Sequence, residues 1–148
     1  MPISPLTLKD CQKAALLHQG AFLKGWDAKT FREFLRNPLV HGLKIGENHE
    51  LYGYILWREM GDEAEILTFV VASSYQRMGK GTFLLITLIK ALRIKNITNL
   101  FLEVAEDNIN AQSFYLKNGF SLLSIRPHYY PREGGKFIAA LNFFKKLI

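Results

Sequence analysis

The sequence predicts an α/β domain (α+β mixed) over residues 1–148, in which a central mixed β-sheet of about seven strands is covered by about four helices. Hydrophobic residues make up 49% of the chain and charged residues 22%, a balance typical of a folded globular protein. Short apolar runs alternate with longer runs that carry apolar residues at helical spacing. This alternation is typical of helices packed on a sheet, and the length is that of one ordinary domain.

The N-terminal elements are a strand and two helices. The run from Ile3 to Leu8 predicts a short first strand, which Pro5 weakens. Apolar residues at positions 14–17, 21 and 22 predict an amphipathic helix from Asp10 to Phe22. Asp27 is a good N-cap and predicts a second helix that extends to Asn37, where the following Pro38 ends it.

Three strands follow the second helix. The segments His41–Ile45 and Leu51–Arg58 are rich in apolar and aromatic residues and flank the turn sequence GENHE. We therefore predict that they form a hairpin. The segment Ile66–Val71 is almost continuously apolar, which predicts a buried strand.

The second half of the chain alternates helices and strands. Gly81–Lys95 is predicted to be a long helix, and Asn118-Gly119 is a typical C-cap signal for another helix that begins at Asn108. The remaining apolar runs predict strands at Leu100–Val104, Phe120–Ile125 and Ile138–Phe144.

The formal net charge of +6 favours an anionic partner such as RNA, a membrane surface or a phosphorylated small molecule. The basic residues are scattered, however, and no run of five or more occurs. A solvated basic surface is therefore the simplest interpretation for most of them. We expect no DNA partner.

Cysteine usage and hydropathy predict a cytoplasmic protein. Cys11 is the single cysteine, so no internal disulfide can form. The N-terminus lacks the features of a signal peptide. The most apolar run, Phe83–Ile94, is short and contains Lys90 and Arg93, so we expect no membrane span. The four histidines lack metal-ligand spacing, and we predict no metal.

A glycine-containing turn, QRMGKG at residues 76–81, joins the third of these strands to the long helix. The first amides of a helix lack internal partners, and the helix dipole adds positive character there. Glycines let a ligand approach this backbone, so the pattern is compatible with a phosphate site. By itself it is equally compatible with a plain connecting turn.

The same turn and several other stretches resemble a known protein family. The chain resembles the GNAT N-acetyltransferases, whose signature Gln/Arg-x-x-Gly-x-Gly/Ala joins the fourth strand to the third helix and is matched at every fixed position of residues 76–81. It resembles in particular the RimI type, whose members acetylate the N-terminal alanine of ribosomal protein S18. The stretches AFLKGWDAKTF, LEVAEDNINAQSFYLKNGF and RPHYYP carry this closer likeness.

The resemblance implies a GNAT-like fold, with helices on both faces of the sheet, and acetyl-CoA as cosubstrate. Backbone amides of the glycine turn would hold its pyrophosphate, and the backbone of the fourth strand would bind the pantetheine arm and the acetyl carbonyl. Asn108 would hydrogen-bond the cofactor, although an N-cap role explains this residue equally well. The implied cofactor-binding residues are Phe69, Val70, Val71, Arg77, Met78, Gly79, Lys80, Gly81, Thr82 and Asn108.

The resemblance also implies the catalytic residues. Glu103 occupies the position of the general base, in an apolar strand where burial could raise the pKa of the carboxyl group. Tyr115 occupies the position of the general acid that protonates the leaving thiolate. Without the family match, Glu103 would be interpreted as a surface residue of the sheet and Tyr115 as a core aromatic. Tyr129 and Tyr130 are candidates to line the groove for a peptide N-terminus, or to pack at a sheet edge.

Three hypotheses follow. The first is an acetyl-CoA-dependent enzyme that acetylates the N-terminal α-amino group of a protein, with ribosomal protein S18 as its partner, by direct transfer. The second is a GNAT enzyme that acts on a small amine or a lysine side chain. The third is a non-catalytic module that binds an acyl-CoA or RNA, in which substitution of Glu103 or Tyr115 would change no activity.

Overall fold

The computed structural model describes residues 2–76 and 78–148. Within these residues the strands are β1 Ile3–Pro5, β2 Val40–Glu47, β3 Glu50–Met60, β4 Glu63–Val71, β5 Asn99–Ala105, β6 Ser121–Pro131 and β7 Phe137–Lys146. The α-helices are α1 Cys11–Ala21, α2 Ala28–Arg36, α3 Lys80–Ile94 and α4 Ile109–Lys117. The strands form one mixed sheet in the order β1-β2-β3-β4-β5-β7-β6. The predicted fold class and element order are therefore confirmed.

Several element ends differ from the sequence prediction, and the ends of β1 and β6 are two examples. β1 ends at Pro5 instead of Leu8, because the backbone N–H of Thr7 donates to the Asp10 carboxylate (2.8 Å) and the chain turns into a 3-10 helix at Leu8–Asp10. β6 continues beyond Ile125 to Pro131. β6 is an edge strand, with a neighbouring strand on one side only. A proline whose nitrogen faces the open side removes no hydrogen bond between strands.

Helices pack on both faces of the sheet, and each face has its own apolar cluster. One cluster contains buried leucines of α3, such as Leu84 and Leu88, together with Tyr115 of α4. The other contains Ala14 of α1, Phe31 of α2 and residues of β3 and β4. Within residues 2–76 and 78–148, no helix is long and apolar enough to span a membrane.

The sheet divides between β4 and β5. These two strands are parallel, but they pair only from Glu63 to Glu65, opposite Asn99–Phe101. In the pairing of β3 with β4, Leu56 lies opposite Thr68 and Trp57 opposite Ile66, so Leu67 is an extra residue that forms a β-bulge. Beyond Glu65, the edge of β4 that faces β5 therefore has no strand partner. This opening positions the candidate site.

Candidate active site

The junction between β4 and α3 presents free backbone amides. Gly79 is the N-cap of α3 and has φ +77°, a left-handed conformation that glycine adopts without strain. Among the residues that the structure describes, no side chain caps the helix, and its first turn contains no acidic residue. The amide Nε2 of Gln76 donates to the carbonyl oxygen of Val71 (2.9 Å), which braces the turn against the end of β4. The first amides of α3 are thus available to an anion.

A cleft of about 720 Å³ opens at this junction, and we call it the helix-start cleft. It lies between the unpaired end of β4, the start of α3 and one side of α4. The predicted residues that line it are Phe69, Val70, Val71, Gly79, Gly81, Thr82, Asn108 and Tyr115. Most of the predicted cofactor-binding residues therefore lie around one cavity.

Two more of the predicted cofactor-binding residues, Met78 and Lys80, lie at the same turn but outside the cleft. The Met78 side chain is largely exposed, and the Lys80 ammonium lies 5.7 Å from the ring centroid of Tyr75. Neither side chain is part of the cleft lining. Arg77 lies outside the residues that the structure describes.

A second cleft of about 630 Å³ adjoins the first, and we call it the carboxylate cleft because Glu103 lines it. Its walls come from the loop between α1 and α2, from β4, β5 and α4, and from the end of β6. The residues that line both clefts are Ala21, Phe22, Phe69, Asn108, Ala111 and Tyr115. The two clefts therefore meet beside Tyr115.

The carboxylate of Glu103 is the most unusual group of the site. Its Oε1 atom is buried and has no hydrogen-bond partner. Burial raises the pKa of this carboxyl group, the charge of Arg126 lowers it, and the charge of Glu65 adds to the increase. A raised pKa and a free buried oxygen are properties of a carboxylate suited to accept a proton.

Tyr115 is 7% exposed and lies on α4, where its ring packs against Phe114 and Phe120. Burial raises the pKa of its phenol well above the ordinary value, so the hydroxyl keeps its proton throughout the neutral range. Because it lines both clefts, Tyr115 can act on a group held in either one.

Asn108 is the N-cap of α4, and its Oδ1 atom accepts a hydrogen bond from the backbone N–H of Ala111 (3.2 Å). The side-chain NH₂ group retains its donors, and the residue lines both clefts. The N-cap role and a role in ligand binding are therefore compatible, because they use different atoms of the same amide.

The paired tyrosines differ in position. Tyr130 lines the carboxylate cleft, and burial raises the pKa of its phenol to about 12. Tyr129 is 44% exposed and lies outside the cleft lining, with the guanidinium of Arg126 4.6 Å from its ring centroid. The structure therefore brings Tyr130, but not Tyr129, to the cavity that contains Glu103.

Two features of the carboxylate cleft were not found from the sequence. Arg132 forms a bidentate ion pair with Asp107 (2.7 and 2.9 Å), which fastens the end of β6 to the β5–α4 turn. His18 of α1 also lines this cleft, where it contacts Thr68 of β4. These partners are 25 and 50 residues apart in sequence, and no local pattern indicates such contacts.

Among residues 2–76 and 78–148, no group of three or more His, Cys, Asp or Glu side chains could hold a metal ion. The chemistry available in the described site is instead that of an anion-binding helix start, an unpaired strand edge, a free carboxylate and a protonated phenol. This arrangement fits acyl transfer from a phosphorylated carrier to a nucleophile held beside Glu103.

Known proteins share both the sequence and the fold. The model of the acetyltransferase (GNAT) family matches residues 11–120. Two curated relatives are the ribosomal protein bS18 alanine N-acetyltransferases of Haemophilus influenzae, 32% identical over 133 residues, and of Escherichia coli K12, 31% identical over 134 residues. Each alignment covers 90% of this chain and 90% of the relative.

A solved structure extends this similarity to the whole fold. The crystal structure of the ribosomal-protein-S18-alanine N-acetyltransferase from Escherichia coli superposes with a TM-score of 0.91 at 29% identity. The alignment covers 99% of this chain and 93% of that one. The divided sheet and the helices on both of its faces thus belong to a fold already seen in an acetyltransferase.

Proposed function

This chain belongs to the GNAT acetyltransferase family, and from that premise we propose that it transfers acetyl from acetyl-CoA to the N-terminal α-amino group of a protein. The proposed acceptor is the N-terminal alanine of ribosomal protein S18, because that is the activity in the names of both curated relatives. An acceptor on the ribosome implies that the enzyme works in the cytoplasm.

The helix-start cleft fits the diphosphate of acetyl-CoA. The amides of Lys80, Gly81 and Thr82 are the first of α3, no described side chain caps them, and the positive end of the helix dipole lies there. The backbone of Met78 and Gly79 continues this surface. We assign the charge of Arg77 to the same phosphates on its position in the family motif alone.

The unpaired edge of β4 fits the amide-containing pantetheine arm. Alternate N–H and C=O groups of Phe69–Val71 face away from β3 and have no strand partner. An extended ligand can pair with such an edge as an added strand does. We assign the amide hydrogen bond to the acyl carbonyl to this segment, and a further hydrogen bond to the NH₂ group of Asn108.

Acetyl-CoA supplies the acetyl group as a thioester, and the side chains of this chain manage two protons. Glu103 takes a proton from the acceptor ammonium, directly or through a water molecule, so that the amine becomes nucleophilic. An α-amino group has a pKa near 8, so a modest base suffices. Tyr115 donates its phenolic proton toward the departing sulfur and helps to orient it.

The acceptor is assigned to the carboxylate cleft. Tyr130 lines this cavity, and Arg132, which directly follows β6, is held there by its ion pair with Asp107. We assign Tyr130 to the groove for the acceptor N-terminus. Tyr129 is assigned to the outer rim of that groove, where its exposed ring can contact residues that follow the acceptor alanine.

The observation that carries this proposal is that the two clefts meet beside Tyr115 while Glu103 lies in only one of them. The acyl donor and the amine can therefore approach from different sides of one reaction point. A module that only binds a ligand has no need of a buried carboxylate oxygen without a hydrogen-bond partner. Burial of such a group lowers the stability of the fold, so its presence favours a catalytic role.

Mass spectrometry of acetylated products tests the proposal. The purified protein is incubated with acetyl-CoA and a peptide that begins Ala-Arg, and with the same peptide blocked at its N-terminus but carrying a free lysine. We expect acetylation of the unblocked peptide alone. Acetylation confined to lysine or to small amines such as polyamines would contradict the proposed acceptor, and no acetylation of any amine would contradict the proposed enzyme.

A further inference from the structure

A buried histidine connects two walls of the carboxylate cleft. His18 of α1 is 4% exposed, and its Nε2 atom lies 3.0 Å from the hydroxyl oxygen of Thr68. Its Nδ1 atom accepts a hydrogen bond from the backbone N–H of Trp26, in the loop between α1 and α2 (2.9 Å). One imidazole thus bridges this loop and the strand residue that follows the bulge at Leu67.

These two contacts determine the tautomer of His18. A backbone N–H can only donate, so the Nδ1 atom that faces Trp26 must be free of a proton. The neutral ring therefore carries its proton on Nε2, which donates to Thr68. A charged ring would direct an Nδ1 proton at the N–H of Trp26, and the loop could not stay where it is.

The surroundings favour the neutral ring. His18 stacks on Trp26 (4.7 Å between ring centroids) and contacts the rings of Phe22 (4.4 Å) and Phe31 (5.6 Å). None of the groups that contact it is charged. Burial lowers the pKa of His18 to about 4, so the ring is neutral at physiological pH.

The loop itself is folded closely against α1. A Cβ atom on Gly25 would lie 2.4 Å from the Cα atom of Gln19 and 2.8 Å from the carbonyl oxygen of His18, so only glycine fits at this position. The side-chain amide of Gln19 donates to the carbonyl oxygen of Trp26 (3.2 Å). The loop is therefore held at several points, and Phe22, Leu23, Lys24 and Trp26 line the cleft as a result.

We infer that His18 is a positioning residue for the acceptor, which holds the α1–α2 loop against β4 as one wall of the groove that receives the peptide N-terminus. This inference rests on the proposed function for its acceptor, but the geometry of the bridge does not depend on it. His18 lines only the carboxylate cleft, although its neighbour Phe22 lines both clefts, so loss of the bridge should weaken the binding of the acceptor more than that of acetyl-CoA.

Kinetics of paired variants test the inference. In His18→Asn the side-chain oxygen can replace Nδ1 as acceptor for Trp26, whereas His18→Gln can only replace the donor to Thr68. We expect the KM for the acceptor peptide to rise roughly tenfold in His18→Gln, the loss expected for one buried hydrogen bond, and less in His18→Asn. The kcat should stay close to wild type, and the Kd of acetyl-CoA should change less than this KM.

A second substitution moves the loop without touching the histidine. Gly25→Ala should raise the same KM, because the added Cβ forces the loop away from α1. Its control is Gly20→Ala, since a Cβ there meets no atom within 4 Å and the residue lines neither cleft. An unchanged acceptor KM in folded His18→Gln and Gly25→Ala, or equal effects of His18→Asn and His18→Gln, would overturn the inference.

Nitrogen NMR of the imidazole gives a readout that needs no acceptor. Long-range ¹H–¹⁵N spectra, assigned with His18→Asn, should identify a neutral ring protonated on Nε2 at pH 7. A ring protonated on Nδ1, or a charged ring, would contradict the bridge. If wild type acetylates no N-terminal amine, the proposed function fails, and the NMR result together with the KM for whichever amine is acetylated still decides the role of His18.

Discussion

The two clefts are built in different ways. The helix-start cleft takes most of its lining from two segments, residues 69–82 and 108–117, and the first of these supplies the amides at the start of α3. The carboxylate cleft is formed by side chains from five separate parts of the chain, which only the fold brings together. A site made of contiguous backbone leaves a short sequence motif, whereas a site made of dispersed side chains does not.

This difference assigns separate duties to the two clefts. Backbone amides recognise a phosphate whatever side chains surround them, so the helix-start cleft suits an invariant carrier such as acetyl-CoA. Side chains distinguish one acceptor from another, so the carboxylate cleft should determine which amine reacts. Substitutions in the first cleft should change the affinity for acetyl-CoA, and those in the second should change turnover or acceptor binding.

The largest expected effect is in the carboxylate cleft. Glu103→Gln should lower kcat by roughly 10²–10⁴-fold, the usual contribution of a general base, because the amide cannot accept the proton. The Kd of acetyl-CoA, measured by calorimetry, should not change. Glu63→Gln is the control, since Glu63 is an exposed residue at the start of β4 that lines neither cleft. A Glu103→Gln enzyme with normal kcat would remove Glu103 from the mechanism.

Tyr115→Phe should have a smaller effect, at the point where the clefts meet. We expect kcat to fall about tenfold, below the usual range for general acid catalysis, because a thiol with a pKa near 8.5 already leaves readily. The ring remains in place, so the melting temperature should stay close to wild type. A fall in kcat as large as that of Glu103→Gln would mean that proton donation by Tyr115 is essential for the reaction and does more than assist the departure of the thiolate.

In the helix-start cleft, Gly79→Ala should raise the Kd of acetyl-CoA roughly fivefold, which corresponds to about 1 kcal/mol of binding free energy. The reason is strain, because alanine disfavours φ +77° by about 1–2 kcal/mol and the turn must shift to relieve it. Gly61→Ala provides the matched control, since Gly61 has φ +61° in the β3–β4 turn and open space around its Cβ position, as Gly79 has. Both variants should lose similar stability to urea, but only Gly79→Ala should lose affinity.

The pH dependence of kcat/KM should report on Glu103. The base acts when it is deprotonated, so activity should fall as the pH drops through its raised pKa, and Glu103→Gln should remove this acidic limb. Arg126 lowers the pKa of Glu103, so Arg126→Gln should move the limb to higher pH. A limb that moves to lower pH, or stays in place, would show that another group produces it.

The raised pKa of Glu103 also makes the stability of the fold depend on pH. The folded chain binds a proton at Glu103 more tightly than the unfolded chain does, so the contribution of this group to stability is complete at low pH and is lost as the pH rises through the raised pKa. At neutral pH the ionised carboxylate therefore disfavours folding. Thermal unfolding of Glu103→Gln at neutral pH should accordingly occur at a higher temperature than that of wild type.

The smallest effect is expected for Gly81→Ala. A Cβ atom on Gly81 would lie 3.6 Å from Val71 and 3.7 Å from the ring of Phe114, which is ordinary contact. Because alanine favours the helix over glycine by about 1 kcal/mol, the variant should be slightly more stable in urea, with unchanged affinity for acetyl-CoA. A marked loss of affinity would mean that the ligand approaches α3 more closely than we propose.

The sequence predicts the order of the elements and the turn before α3 well, because local signals determine them. Asp27 was expected to cap α2, and its carboxylate accepts a hydrogen bond from the backbone N–H of Thr30 (2.9 Å). Residues 76–81 predict a glycine turn, although by themselves they do not distinguish a phosphate site from a plain connecting turn, and Gly79 has the left-handed conformation that such a turn favours. These features depend on residues that are close together in the chain.

The sequence does not predict how the sheet opens or how the second cleft is assembled. The bulge at Leu67 and the separation of β4 from β5 depend on how strands distant in sequence pair, which no local pattern records. The bridge from Trp26 through His18 to Thr68 spans three segments of the chain. A lone histidine in an amphipathic helix gives no indication of such partners.

The most direct test of the central claim is a titration of ¹⁵N-labelled protein with acetyl-CoA, followed by amide NMR. We predict that the amide resonances of Lys80, Gly81 and Thr82 move strongly, because they donate to the diphosphate, while that of Gly61 stays fixed. Amides of the α1–α2 loop should respond chiefly when the acceptor peptide is added. Saturable binding that leaves the start of α3 unperturbed, or no binding at all, would contradict the account.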